Sequence, residues 1–120
     1  MGRKLLFFTN TELVRVDSDA MVYVKADGNY SSIIMADGAE YLITMQIGQI
    51  EKRIEDMIEK ENQFIRIGRS LIINSEFTTL INPARSKVVL SDCKTFHHEL
   101  SAPKEALKAL KDYLEKEAEL

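Results

Sequence analysis

Two Asp-Gly pairs, Asp27-Gly28 and Asp37-Gly38, constrain this chain more than any other feature. Glycine accepts the positive φ that tight hairpin turns demand, so each pair marks a reversal between antiparallel strands. Short β-prone runs lie around them: Leu13-Val14-Arg15-Val16, Met21-Val22-Tyr23-Val24, Ser32-Ile33-Ile34-Met35 and Tyr41-Leu42-Ile43. The first 44 residues therefore read as a succession of short strands with turns between them.

The apolar period then changes. Ile47, Ile50, Ile54, Met57 and Ile58 recur at helical spacing, and Glu51, Lys52, Arg53, Glu55 and Glu59 fill the other side. Thr44 is the expected N-cap, and Lys60-Glu61-Asn62 closes the helix. The charged residues Glu51, Glu55, Asp56 and Glu59 interleave with Lys52, Arg53 and Lys60, the pattern of a solvated helix face with i,i+4 pairs. Further strands are expected over Phe64–Arg66, Leu71–Ile73, Phe77–Ile81, Lys87–Leu90 and Thr95–Glu99. The last three are separated by the turns Asn82-Pro83-Ala84-Arg85 and Ser91-Asp92-Cys93-Lys94. A terminal helix follows, capped by Ser101, with Pro103 tolerated in its first turn and Leu107, Leu110 and Leu114 as its buried stripe. The expected fold is mostly β, of the α+β class, with one mid-chain helix and one C-terminal helix.

With 120 residues, 45% of them hydrophobic, the chain has room for one domain and a core without staples. Its single cysteine, Cys93, excludes an internal disulfide and multi-cysteine zinc sites. No apolar run approaches the ~18 residues needed to span a bilayer. Leu5-Leu6-Phe7-Phe8 after Arg3-Lys4 is too short for the apolar core of a signal peptide. A cytoplasmic location with no membrane partner is the expectation.

Enzyme chemistry finds no constellation. His97 and His98 are adjacent on an expected strand, so their side chains point to opposite faces and cannot chelate one ion together. Cys93 has no base near it in sequence. Ser101-Ala102-Pro103-Lys104 matches a serine–x–x–lysine string, but a helix cap followed by a first-turn proline explains it. Each Asp-Gly pair holds a single glycine, so no phosphate-cradling loop is present. Neither a cofactor nor a metal is expected.

The charge is uneven. The net −3 is unlike that of most nucleic-acid binders, yet residues 63–98 carry 5 Lys/Arg against 2 Asp/Glu between acidic flanks. Three of those five are arginines, the better residue for gripping phosphates or guanine edges. Within this island, Phe64-Ile65-Arg66-Ile67-Gly68-Arg69-Ser70-Leu71-Ile72-Ile73-Asn74 holds two arginines, and its glycine permits a sharp bend. By composition the segment is either a loop that projects a guanidinium from a rigid scaffold or an ordinary strand–turn–strand with solvated arginines.

That segment resembles the most recognisable run of the LytTR DNA-binding domain family of bacterial transcription regulators. The family run is an aromatic, an arginine, an apolar residue, a histidine, an arginine and a serine, closed by an apolar strand ending in asparagine. Phe64, Arg66, Ile67, Arg69, Ser70, Leu71, Ile72, Ile73 and Asn74 match it, with Gly68 in place of the histidine. Upstream, Val22-Tyr23-Val24-Lys25-Ala26-Asp27-Gly28-Asn29-Tyr30 is similar to the family's second hallmark, and the resemblance runs from about Glu12 to Leu110. It implies an elongated stack of short antiparallel sheets, and a sequence-specific transcription regulator that contacts the major groove through loops.

Carried over by position, the contact loops fall at Asn29 and Tyr30, at Gly68 and Arg69, and at Ser101-Ala102-Pro103-Lys104. There Pro103 takes the slot of an arginine, and Lys104 is the nearest cation. Arg66, Arg85, Lys87 and Lys25 are the expected phosphate contacts, which position a protein without reading sequence. Double-stranded DNA is the implied partner. A homodimer on adjacent half-sites follows from family habit, as does regulation by expression or a protein partner, since 120 residues leave no space for the receiver domain many members carry. The competing expectation keeps the fold but turns the altered loops to protein–protein interaction.

Overall fold

The computed structural model describes residues 2–118. Among the described residues, ten strands form three antiparallel sheets. Strands β1 (Lys4–Phe8) and β2 (Leu13–Asp17) make a two-stranded hairpin. Strands β3 (Met21–Asp27), β4 (Tyr30–Met35), β5 (Glu40–Ile43), β6 (Phe64–Ile67) and β7 (Leu71–Asn74) make the central sheet, in the order β5-β4-β3-β7-β6. Strands β8 (Thr78–Asn82), β9 (Lys87–Ser91) and β10 (His97–Ser101) make the third, with β9 in the middle. Helix α1 (Ile47–Met57) joins β5 to β6, and α2 (Lys104–Ala118) follows β10. The molecule measures 42 × 31 × 27 Å along its principal axes. It is the mostly β architecture the sequence predicts, with both Asp-Gly hairpins at the expected turns.

The central sheet is apolar on both faces. Val24, Ile33, Phe64 and Ile72 pack with Ile47, Ile50, Ile54 and Ile58 of the α1 segment and with Leu5, Phe7 and Val16 of the first hairpin. Val22, Ile67, Leu71 and Ile73 pack on the opposite side with Val88, Leu90, Ala102, Leu107 and Leu110. Successive side chains of a strand alternate between faces, so the unbroken run Leu71-Ile72-Ile73 is what a strand covered on both sides requires.

Asn74, which closes the arginine-bearing segment, is 1% exposed. Its Nδ2 donates to the Met21 carbonyl at 2.9 Å, and its Oδ1 accepts from the Glu76 amide at 3.1 Å. The side chain therefore pins the end of β7 to the start of β3 and begins the short 3-10 turn Ser75–Phe77. That turn delays β8 to Thr78, one residue beyond the start expected from the apolar pattern.

Three expectations need correction. Thr44 does not cap α1: its amide reaches Glu12 Oε1, while Gln46 is the cap and its amide donates to Gln49 Oε1 at 2.9 Å. Ser101 does not cap α2, because it ends β10 opposite Lys87; the first helical bond runs from Leu107 N–H to the Pro103 carbonyl. The strand expected from Thr95 begins at His97, since Asp92 Oδ1 accepts from the amides of Lys94, Thr95 and Phe96 and holds them in the turn. The Thr95 hydroxyl and these amides keep the Asp92 carboxyl well below the usual carboxylate range. Leu5-Leu6-Phe7-Phe8, for which no element was expected, lies in strand β1, buried at Leu5 and Phe7 and exposed at the alternate positions.

Replacing Asn74 by alanine strands the Met21 carbonyl at a buried site and removes the acceptor of the part-buried Glu76 amide. Urea unfolding followed by circular dichroism is expected to show a loss of about 1–3 kcal/mol.

Candidate nucleic-acid interface

The pairing of β3 with β7 brings two distant segments to one end of the central sheet. Lys25 lies opposite Leu71, and the Ala26 amide donates to the Ser70 carbonyl at 2.8 Å. The two-residue turn Gly28-Asn29 between β3 and β4 therefore stands beside the three-residue turn Gly68-Arg69-Ser70 between β6 and β7. Gly28 and Gly68 both sit in the left-handed region, at φ 62° and 67°. Loops this short, on strands packed from both faces, have little room to move.

The third segment meets the second directly. A Cβ built on Gly68 would lie 3.2 Å from Cδ and Cγ of Pro103. The two positions at which the chain departs from the family run are thus one contact, the proline ring occupying the space beside the glycine. Next along, the Ala102 amide donates to the Ser86 carbonyl at 3.1 Å, which sets the Pro83–Arg85 turn against the start of α2. Asn29, Tyr30, Gly68, Arg69, Pro103, Lys104 and Arg85 thus belong to one chain of touching segments, and all are exposed.

The cations differ in what already engages them. Lys25 and Lys104 are exposed, and among the described residues the guanidinium of Arg69 has no hydrogen-bond or ion-pair partner. Lys87 is half-buried and pairs with Glu99 at 3.0 Å. The Arg66 guanidinium is engaged on three sides. Its Nε donates to the Gly68 carbonyl at 3.0 Å, one Nη to the Arg69 carbonyl at 2.9 Å, and the other Nη to Glu51 Oε1 at 2.8 Å. Lysines, with a single ammonium, cannot reproduce such a fork.

Glu51 was expected on a solvated helix face. It is instead half-buried, bound to Arg66 across the gap between α1 and β6. Arg53 is likewise drawn inward, its guanidinium 4.1 Å from the centre of the Phe8 ring. Gln46, the α1 cap, touches the first loop through Nε2 to Asn29 Oδ1 at 3.4 Å. Neither Glu51 nor Gln46 carried a signal in the sequence, because their partners lie on other elements. His97 and His98 do face opposite ways: His97 is exposed, while His98 packs its ring against Tyr23 and Phe96.

The site is thus a β-rich scaffold that presents three adjoining loop segments carrying the exposed cations Lys25, Arg69 and Lys104. The model of the LytTr DNA-binding domain matches residues 11–115, and the chain belongs to that family. Among solved structures, it is similar to the LytTr DNA-binding domain of a protein described as a methyl-accepting/DNA response regulator from Bacillus cereus. That likeness has a TM-score of 0.62 and 17% identity, covering 92% of this chain and 95% of the other, and it shows the shared fold. No curated protein matches. Among the described residues no helix is long and apolar enough to cross a membrane.

Gly68→Ala adds a left-handed strain of roughly 1–2 kcal/mol and a crowded contact with Pro103. In a double-mutant cycle with Pro103→Ala, urea unfolding is expected to show a coupling of about 0.5–1 kcal/mol, with the backbone strain remaining in the double variant.

Proposed function

We propose that this domain is a sequence-specific transcription regulator that enters the DNA major groove with the loops at Asn29-Tyr30, Gly68-Arg69 and Pro103-Lys104. The observation that carries this reading is the junction of the three segments through the Ala26–Ser70 hydrogen bond and the Gly68–Pro103 contact. Arg69, unpaired and set on a braced turn, is the principal base-reading residue, with guanine O6 and N7 as its natural bidentate acceptors. Asn29 supplies an amide suited to adenine, and Tyr30, 45% exposed, supplies a hydroxyl and an apolar face. Gly68 lets the backbone approach closely. Lys104 stands in for the family arginine, while Lys25, Arg85 and Lys87 bind phosphates.

The net charge of −3 does not oppose this function, because attraction to DNA depends on the local field of the contacting face. A homodimer on adjacent half-sites, working in the cytoplasm, fits a domain whose own contact loops are few. The packing of Gly68 on Pro103 removes two polar readers, which favours a second reading: a protein-interaction module that has lost base specificity.

The experiment is selection of short duplexes from a randomised pool by the whole chain. Fluorescence anisotropy on the selected duplex and on a shuffled version, across a salt series, then measures specificity. Arg69→Ala is expected to cost about 1–3 kcal/mol on the selected duplex and little on the shuffled one. Lys25→Ala is expected to weaken both equally and to reduce the salt slope by about one. Failure of the selection to enrich any duplex would decide for the interaction module.

A further inference from the structure

We propose that Arg66 and Glu51 form a positioning clamp for the base-reading turn, so that Arg66 acts through Arg69 and does not itself bind DNA. The proposal rests on the reading of Arg69 given above. Its basis is the three-way engagement of one guanidinium. Two of its edges hold the consecutive carbonyls of Gly68 and Arg69, and the third is held by the Glu51 carboxylate on α1. Strand alternation explains why Arg66 is available for this. Its neighbours Ile65 and Ile67 pack on the α2 side of the sheet, so Arg66, opposite Ile72, faces α1.

The turn needs such a clamp. Its three residues are all exposed, so no buried side chain of its own anchors it. Ser70 is tied to β3 by the Ala26 bond and Gly68 rests on Pro103. Without Arg66 the carbonyls of Gly68 and Arg69 would be left to solvent and the peptide planes around Arg69 free to rotate. Bidentate readout depends on placing a planar group within a fraction of an ångström, so a loosened turn loses discrimination while keeping its charge. The side chains of Arg66 and Glu51 are only 27% and 35% exposed, which shields the pair from competing water and salt.

Helix α1 gains a role from the same geometry. Its cap residue Gln46 touches Asn29 and Glu51, one turn further along, holds Arg66, so one rigid helix braces both reading turns.

The test uses charge to separate positioning from phosphate binding. Glu51→Gln removes a negative charge, so electrostatics alone strengthens binding to any DNA. Arg66→Lys keeps the positive charge but cannot span two carbonyls and a carboxylate. The expected result is a fall of about 5- to 100-fold in the preference for the selected duplex over the shuffled one in both variants. Binding to the shuffled duplex and the salt slope of Arg66→Lys should stay at wild-type values. The proposal is overturned if Glu51→Gln binds both duplexes more tightly with preference intact, or if Arg66→Lys matches the wild type. It is also overturned, with the reading of Arg69 untouched, if Arg66→Ala lowers the salt slope by about one and leaves preference unchanged. Backbone relaxation of the Gly68, Arg69 and Ser70 amides tests the clamp without DNA. Order parameters should drop from about 0.85 toward 0.6 in Arg66→Lys and Glu51→Gln, and unchanged values overturn the clamp. If no duplex is selected, that measurement still decides the clamp, and only the DNA-reading function fails.

Discussion

The antiparallel pairing of β3 with β7 is the contact on which the rest of the site depends. It joins Tyr23 to Ile73, Val24 to Ile72 and Lys25 to Leu71, residues far apart in sequence, and continues into the Ala26–Ser70 hydrogen bond. Each of these strands belongs to its own hairpin, β3 with β4 and β7 with β6, and the pairing aligns the hairpins so that both turns emerge at one end. A slip of one residue would turn Val24 and Ile72 out of the α1 side of the core and carry Arg66 away from Glu51. Burial on both faces of β7 makes that slip expensive, and so the core sets the spacing between the two turns. Asn74 reinforces the register from the other end of the strand by holding the Met21 carbonyl.

Gly68 and Pro103 show how two changes of residue type become one structural feature. At positive φ a glycine is strain-free, and the proline ring fills the space a side chain would enter. Proline also suits its own position: it has no amide to leave unpaired, and its carbonyl accepts the first hydrogen bond of α2. An apolar lock between the second and third loops replaces two polar side chains. On the proposed function, recognition then falls to fewer residues, among them the exposed Arg69, Lys25 and Lys104. Contact with DNA through few cations predicts a modest salt dependence, since each phosphate neutralised contributes about one counterion to the slope.

Much of this was legible from the residues. The hairpins were, because glycine after aspartate marks a reversal regardless of what packs around it, and Gly28 and Gly38 do adopt positive φ. The buried stripe of α1 was, because helical period is local. The helix ends were not. Thr44 and Ser101 are good capping residues by type, but Thr44 lies two residues before the true cap, and pairing with Lys87 keeps Ser101 in a strand. Strand β1 was hidden because Leu5-Leu6-Phe7-Phe8 is apolar at every position, and its alternation exists only in burial. At the site, the family run marked both Arg69 and Arg66, the latter as a phosphate contact, but not the carboxylate that engages Arg66. Its partner Glu51 sits on another element, and no spacing rule connects them.

The proposed reading of DNA by turns rather than by a helix raises a question of stiffness. A recognition helix holds its side chains through its own hydrogen bonds, while a turn has few, and ordering each free residue at the moment of binding costs on the order of 1–2 kcal/mol. A turn of three residues left mobile would forfeit most of the discrimination one bidentate arginine supplies, about 1–3 kcal/mol. The structure meets this cost in advance. The first turn has only two residues, fixed by direct pairing of Asp27 with Tyr30, and the second has its carbonyls held by Arg66, its end tied to β3 and its glycine set against Pro103. Stiffness therefore comes from neighbours instead of from the turn itself, and on the proposed function residues that never approach a base would set how well Arg69 reads one.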